Sequence, residues 1–193
     1  SSGSFAEGRI AAKAAVNYVN DMGKDQPMVS ETEYEDLKKT IFQPMENYAV
    51  GRNEIVAGTV SPSYILPIQG LQRLEQIMDE YVGGIGANYT TNEPLLTRGL
   101  ELLDMLNEDL NHLGAEDLHQ LMRAWELRHR VLASECVTQH TMFRKETRWP
   151  GYYYRGDHPK LNDTDWHCFT LSQYDRDSGK WNMEKEPVHH IID

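Results

Sequence analysis

Between Ser30 and Lys145 the apolar residues recur at steps of three and four, the spacing that places side chains on one face of an α-helix. Four such stretches follow one another and are joined by short loops. Amphipathic helices connected in this way bury their apolar faces against one another, so the sequence predicts a helical bundle. The clearest apolar seam, in the third of these helices, consists of Leu96, Leu103, Leu106, Leu110 and Leu113.

Capping residues mark the starts of four predicted helices. Ser4–Glu7 and Ser30–Glu33 match the capping box, in which a serine and a glutamate three residues later satisfy each other's backbone N–H groups. Ser61-Pro62 is typical of an N-cap with proline at the first helical position, and Asn92-Glu93-Pro94 begins a further helix. We therefore expect helices to begin at these four places, the first of them an Ala-rich helix over residues 10–19.

The last predicted helix runs from about Glu116 to Lys145. Its apolar stripe is expected to face the core of the bundle, with Trp125 among the core residues. The predicted stripe consists of Leu118, Met122, Trp125, His129, Leu132, Cys136, His140 and Phe143.

The pattern changes after Trp149. Three consecutive tyrosines fit neither helical nor strand amphipathicity, and Pro150 and Pro159 exclude a continuing helix. Trp166–Tyr174 and Lys180–Ile191 are rich in strand-forming residues and are separated by a turn at residues 175–179. The predicted fold class is mainly α, a bundle of four to five helices followed by an extended segment and a C-terminal β-hairpin.

Composition narrows the functional classes. The 193 residues are 39% hydrophobic and 25% charged, as in a globular protein, and the formal charge is −11. An acidic chain disfavours binding to nucleic acid, and no apolar run reaches the roughly 20 residues that span a bilayer. Cys136 and Cys168 show no metal-ligand spacing, which argues against a disulfide scaffold and fits a reducing compartment.

Two groups of residues match known metal-binding or catalytic patterns only in part. Glu116-x-x-His119 and Glu126-x-x-His129 have the spacing of di-iron bundles, but both lie on one helix with faces that differ by roughly 80°. Surface pairing for the first and a core histidine for the second are favoured. Cys136 and His140 lie one turn apart on an apolar seam, where packing is favoured over nucleophilic catalysis. We predict no catalytic residues and no metal ligands.

The sequence leaves two interpretations open for each of two positively polarised features. Arg144, Lys145, Arg148 and Arg155, against Glu146, either contact an anion or an acidic neighbour or form a solvated helix end. Residues 1–4 lead into a helix whose free N–H groups either receive an anion or a carbonyl oxygen or are simply capped.

The ends of the chain resemble a known family. Residues 1–15, SSGSFAEGRIAAKAA, resemble the last helix of the flavin-binding domain in adenylylsulfate reductase alpha subunits. Arg144–Pro159 and Asn162–Phe169 resemble the same subunits near their end. The layout as a whole is similar to the C-terminal part of the fumarate reductase and succinate dehydrogenase flavoproteins.

The resemblance implies an oxidoreductase of dissimilatory sulfur metabolism that interconverts adenylylsulfate with AMP and sulfite through a sulfite adduct on the flavin. It implies FAD in the alpha subunit and iron–sulfur clusters in a beta subunit, and it implies a cytoplasmic enzyme, in agreement with the two cysteines. It divides the chain into the last helix of the flavin-binding domain (1–23), the helical bundle (24–147) and an aromatic extended segment with the hairpin (148–193). The cofactor-binding residues that it implies are Ser1, Ser2, Gly3 and Ser4.

The same resemblance puts the dinucleotide-binding and substrate-binding residues upstream of Ser1. We therefore expect this chain alone to be inactive and to hold no cofactor, and we expect the surface that covers Arg148–Pro159 to be missing from it. One alternative is a fumarate reductase type of flavoprotein, although that group carries Arg-Gly-x-His where this chain has residues 148–152, RWPGY. The other alternative is a non-enzymatic helical interaction module.

Overall fold

The computed structural model of the chain describes residues 2–23, 28–54, 61–148 and 153–189. The chain divides into two compact units, Ser1–Ile41 and Phe42–Asp193. Ser1 and residues 149–152, which the sequence singles out, lie outside the described residues.

The first unit contains helix α1 (Ser2–Asp21) and the beginning of helix α2 (Glu31–Gly51). The capping box at Ser30 is confirmed, because the Glu33 carboxylate accepts from the Ser30 N–H at 2.9 Å and the Ser30 hydroxyl accepts from the Glu33 N–H at 3.2 Å. The predicted cap at Ser4 is wrong. An N-cap residue needs a non-helical backbone, and Ser4 already lies inside α1.

The second unit packs three helices around one apolar core: α3 (Pro67–Tyr81), α4 (Glu93–Asp109) and α5 (Leu118–Phe143). Short 3₁₀ turns follow α2 at Arg52–Glu54 and α4 at Leu110–His112. The predicted leucine seam is confirmed, since all five of its residues are at most 1% exposed. The core cluster consists of Leu74, Ile77, Leu103, Leu106, Leu110, Leu113, Ala124, Leu127 and Val131.

Helix α3 begins later than predicted. Pro67 occupies its first turn, and the Gln69 side chain accepts from the Leu66 N–H at 2.8 Å. The helix start predicted at Ser61-Pro62 is wrong because Ile65 forms a parallel bridge with Leu113, which needs an extended backbone. Asn92 caps α4 as predicted, accepting from the Leu95 N–H at 3.0 Å.

The predicted seam of α5 is wrong as the face that meets the core, because none of its eight residues is buried. Leu118 and Met122 are 67% and 50% exposed, and Trp125 is half-buried rather than a core residue. The buried positions form a neighbouring stripe, which consists of Leu121, Ala124, Leu127, Val131 and Thr138. The helix therefore carries apolar and small residues on two faces, and sequence periodicity alone does not decide which of them meets the bundle.

A short helix and two small sheets complete the described part of the fold. Strands β1 (Thr90–Thr91) and β2 (Tyr154–Arg155) pair in parallel, and helix α6 spans Asp163–Trp166. Strands β3 (Cys168–Asp175) and β4 (Lys180–Pro187) form the predicted antiparallel hairpin. The mainly α fold class is thereby confirmed. Among the described residues, no helix is both long and apolar enough to cross a membrane.

Candidate functional site

The first candidate site is the N-terminus of α1. Ser2, Gly3 and Ser4 lie in its first turn, where backbone N–H groups have no partner within the helix. That turn contains no acidic residue, and a Cβ added to Gly3 would meet no described atom within 4 Å. This set of donors fits a group with negative charge or carbonyl oxygens, such as the polar edge of a flavin ring.

The second candidate site is centred on the buried carboxylate of Glu146. Its Oε1 lies 2.7 Å from Arg144 Nη1 and 2.6 Å from Arg148 Nε, and its Oε2 accepts from the Asn162 N–H at 2.9 Å. Burial by itself would raise the pKa of Glu146. The hydrogen bonds from Arg148, Asn162 and Arg144 outweigh it and lower the pKa. Glu146 therefore stays ionised between two guanidinium groups.

The two arginines also bind the C-terminal part of the chain. Arg144 donates to the carbonyls of Trp166 at 2.9 Å and Cys168 at 2.8 Å. Arg148 donates to the Trp166 carbonyl at 3.2 Å and pairs with Asp163 at 2.9 Å. Both cations thus hold α6 and β3 against the end of α5. Of the two interpretations left open by the sequence, these bonds support contact with an acidic neighbour, and the neighbours, Glu146 and Asp163, belong to the chain itself.

Arg155 and Asp157 link two helix ends. The fully buried Arg155 guanidinium binds both Asp157 oxygens at 2.9 Å and donates to the carbonyls of Thr141, Met142 and Arg144 at the end of α5. Asp157 Oδ2 in turn accepts from the backbone N–H of Glu93 in the first turn of α4, at 2.9 Å. The hydrogen bonds from Arg155 hold the pKa of Asp157 far below its usual range.

The bundle supplies one of the surfaces against which Arg148–Pro159 lies, and the expectation that a second surface is missing stays a prediction. Tyr154 donates its N–H to the Tyr89 carbonyl at 2.6 Å, and Gly156 donates to the Thr91 carbonyl at 2.7 Å. The described part of the segment is therefore held by the bundle itself.

One group of side chains has the spacing of a metal site. Within the described ranges, Glu93, Asp157 and His158 place ligand atoms within 4.8 Å of one another. Arg155 already neutralises Asp157, and the Lys145 ammonium lies 3.6 Å from Glu93. A cation at this point would compete with both, so the arrangement does not favour a metal.

The histidines of the two Glu-x-x-His motifs lie on the outside of α5. His119 and His129 are both exposed, so the interpretation of His129 as a core histidine is wrong. Its ring lies against Trp125, with ring centroids 6.3 Å apart. Exposed side chains on a single helix do not form the inward-facing ligand set of a di-iron bundle.

Cys136 and His140 contact the hairpin. Cys136 Sγ lies 3.8 Å from the Ser172 hydroxyl, and His140 Nδ1 lies 3.2 Å from the Thr170 hydroxyl. Burial and the nearby Arg144 charge lower the pKa of His140. These contacts support a packing role rather than a nucleophilic pair, although the surface packed against is the hairpin and not the bundle core.

A cleft of about 460 Å³, here called the β3 cleft, lies between α5 and β3. Tyr153 lines it together with Arg144 and Arg148, the two arginines that bind Glu146. The lining residues are Cys136, Val137, His140, Thr141, Arg144, Arg148, Tyr153, Cys168, Phe169 and Thr170. No sequence signal indicated this cleft, because its walls are about 30 residues apart in the chain.

Comparisons with known proteins agree on one family. Residues 71–191 match the family described as fumarate reductase flavoprotein C-term. The adenylylsulfate reductase subunit alpha of Megalodesulfovibrio gigas is 42% identical over 192 residues, which cover 100% of this chain and 29% of that protein. The chain therefore spans less than a third of the length of this relative.

Solved structures give the same picture. The adenylylsulfate reductase of Archaeoglobus fulgidus, and a structure of adenosine-5-phosphosulfate reductase in complex with sulfite as a covalent adduct, each match with a TM-score of 0.93 and 53% identity. Each match covers 99% of this chain and 30% of the other. The quinol fumarate reductase FrdA of E. coli matches over 96% of this chain and 29% of its own length, with a TM-score of 0.71 and 18% identity, which shows a shared fold alone.

Proposed function

Since the chain belongs to the fumarate reductase flavoprotein C-terminal family, we propose that it forms the C-terminal helical part of an adenylylsulfate reductase alpha subunit. The observation that carries the proposal is the 53% identity to the Archaeoglobus fulgidus enzyme at a TM-score of 0.93. The end motifs of the sequence support the same assignment. The 18% identity to a fumarate reductase supports the alternative less well.

The proposed activity is the interconversion of adenylylsulfate with AMP and sulfite in the cytoplasm. FAD supplies the electron-accepting and electron-donating chemistry and is held mainly by residues outside this chain. A partner subunit with iron–sulfur clusters exchanges electrons with it. This chain by itself is then inactive and binds no cofactor.

The proposed contribution of this chain to the flavin is made by Ser1, Ser2, Gly3 and Ser4. The N–H groups in the first turn of α1 donate toward the polar edge of the ring and stabilise negative charge there. The absence of an acidic residue from that turn supports this role, because a carboxylate would compete for the same donors. The boundaries 1–23, 24–147 and 148–193 complete the proposed division of the chain.

Expression of the full-length protein tests the proposal. We expect a yellow protein whose flavin absorbance is bleached by sulfite, and which oxidises sulfite only in the presence of AMP. Fumarate reduction without bleaching by sulfite would favour the fumarate reductase type. A protein that purifies without flavin would favour an interaction module and would overturn the proposal.

A further inference from the structure

A cavity of about 240 Å³, here called the α3–α5 cavity, lies between helices α3 and α5. Helix α3 lines it with Pro67, Ile68 and Leu71, and α5 adds the apolar side chain of Leu127. Leu127 is 2% exposed, and a Cβ added to Gly70 would lie 2.5 Å from its Cδ2, so the two helices are in direct contact here. Core packing therefore holds the apolar floor of the cavity in place.

The charged side chains of the cavity come from one face of α5. They follow one another at steps of four, three and four residues: His119, Arg123, Glu126 and Arg130. Glu126 and Arg130 pair with each other at 4.0 Å. Within the described ranges, Arg123 has neither a carboxylate partner nor a hydrogen bond. Two arginines against one glutamate give the lining a charge of about +1 with the histidine neutral, in a chain whose formal charge is −11.

The unpaired guanidinium of Arg123 indicates the charged end of an occupant. A carboxylate matches its planar fork of N–H donors. One unpaired cation balances a single negative charge, which fits a monocarboxylate better than a phosphate dianion.

The apolar floor and the size of the cavity indicate the other end of the occupant. Ile68 is 55% exposed, and a hydrocarbon tail would remove it from water. One turn of an α-helix, about 10 Å across and 5.4 Å long, occupies roughly 400 Å³. The cavity of about 240 Å³ is too small for such a turn, and it lies below the roughly 300 Å³ at which sites for drug-sized ligands begin. These dimensions favour a small molecule with a short tail over a helical segment of a protein.

We propose that the α3–α5 cavity binds a small monocarboxylate, with the carboxylate on Arg123 and the hydrocarbon tail against Ile68, Leu71 and Leu127. The lining residues belong to neither of the two candidate sites described above, so this inference does not depend on the proposed function.

Three small probes test the site on the full-length protein by ligand-observed NMR titration. Hexanoate carries both groups that the cavity recognises, acetate lacks the tail, and hexan-1-ol lacks the charge. We expect saturable binding of hexanoate with a Kd of about 1 mM or lower, the range for so small a ligand, and at least about tenfold weaker binding of the other two. Absence of saturable hexanoate binding, as when side chains from the rest of the protein fill the cavity, overturns the proposal, and so do equal Kd values for the three probes.

Substitutions on the two helices locate the binding. Arg123→Gln removes the charge and should weaken hexanoate binding about tenfold while changing that of hexan-1-ol by less than about twofold. Ile68→Trp places a bulky side chain at the exposed wall of the cavity and should weaken hexanoate binding by about tenfold or more. Arg98→Gln is the matched control, because Arg98 is an exposed arginine on α4, and it should change the Kd by less than about twofold.

Unchanged hexanoate affinity in both Arg123→Gln and Ile68→Trp would place the ligand elsewhere and overturn the proposal. Melting temperatures of the variants show whether each is folded. Bleaching of the flavin by sulfite, measured on the same samples, reports on the proposed function separately.

Discussion

The Nδ1 atom of His140 on α5 lies 3.2 Å from the hydroxyl of Thr170 on β3, and this contact is the middle one of three. Four residues of helix advance by about 6 Å along the axis and two residues of strand by about 6.6 Å. Residues four apart on α5 therefore meet residues two apart on β3. The three contacts are Cys136 with Ser172, His140 with Thr170, and Arg144 with the Cys168 carbonyl. The hairpin is thus held on α5 by polar groups that match one helix turn to two strand residues.

His140 should make the stability of this contact depend on pH. Burial and Arg144 lower its pKa below the unfolded value of about 6.5, so the folded state binds fewer protons than the unfolded state. The stability is therefore present above the unfolded pKa and is lost as the pH falls below it. We expect the melting temperature of the wild type to fall more steeply between pH 7 and pH 5 than that of His140→Gln. His129→Gln, at an exposed position of the same helix, is the control, and parallel curves for wild type and His140→Gln would contradict the assignment.

Asp157→Asn should destabilise the chain strongly. The change removes the carboxylate from the fully buried Arg155 and leaves a cation without a counter-charge, at a cost of about 3 kcal/mol. Urea unfolding followed by circular dichroism measures the free energy of unfolding. Asp177→Asn, in the exposed hairpin turn, should stay within about 0.5 kcal/mol of the wild type. If Asp157→Asn also changed the free energy of unfolding by less than about 0.5 kcal/mol, the link between α4 and α5 would not stabilise the fold.

The register of α5 can be tested with two leucines. Leu127 is 2% exposed and Leu118 is 67% exposed. Leu127→Ala should cost about 3 kcal/mol of unfolding free energy, whereas Leu118→Ala should cost less than about 0.5 kcal/mol. Trp125→Ala should fall between them, since Trp125 is half-buried. A larger loss of unfolding free energy for Leu118→Ala than for Leu127→Ala would show that the seam predicted from the sequence faces the core.

Two glycines should respond to alanine in opposite directions. A Cβ on Gly114 would lie 2.5 Å from Tyr64 Cδ2, and Gly51 approaches the other side of the same ring with a Cβ at 2.7 Å from Cδ1. Gly114→Ala should therefore cost about 1–3 kcal/mol through overpacking. Gly8 lies within α1 with no described atom near its Cβ position, so Gly8→Ala should be neutral or stabilise by up to about 1 kcal/mol. Thermal unfolding of the two variants provides the comparison.

Local sequence is sufficient to predict the parts of the fold that depend on neighbours in the chain. The leucine seam of α4, the caps at Ser30 and Asn92, the hairpin and the family resemblance all follow from residues close together in sequence. Helical hydrogen bonds and caps join groups at most a few positions apart, so local patterns are sufficient to predict them.

The other features of the fold depend on contacts between segments that are distant in the chain. The sequence does not show which of two faces of α5 meets the bundle, because both carry apolar or small residues and the hairpin covers one of them. The start of α3 depends on the pairing of Ile65 with Leu113, and the binding of Asp157 to the N-terminus of α4 joins positions 64 residues apart. These contacts form only when distant segments pack together, so their physical cause lies outside any local stretch of the chain.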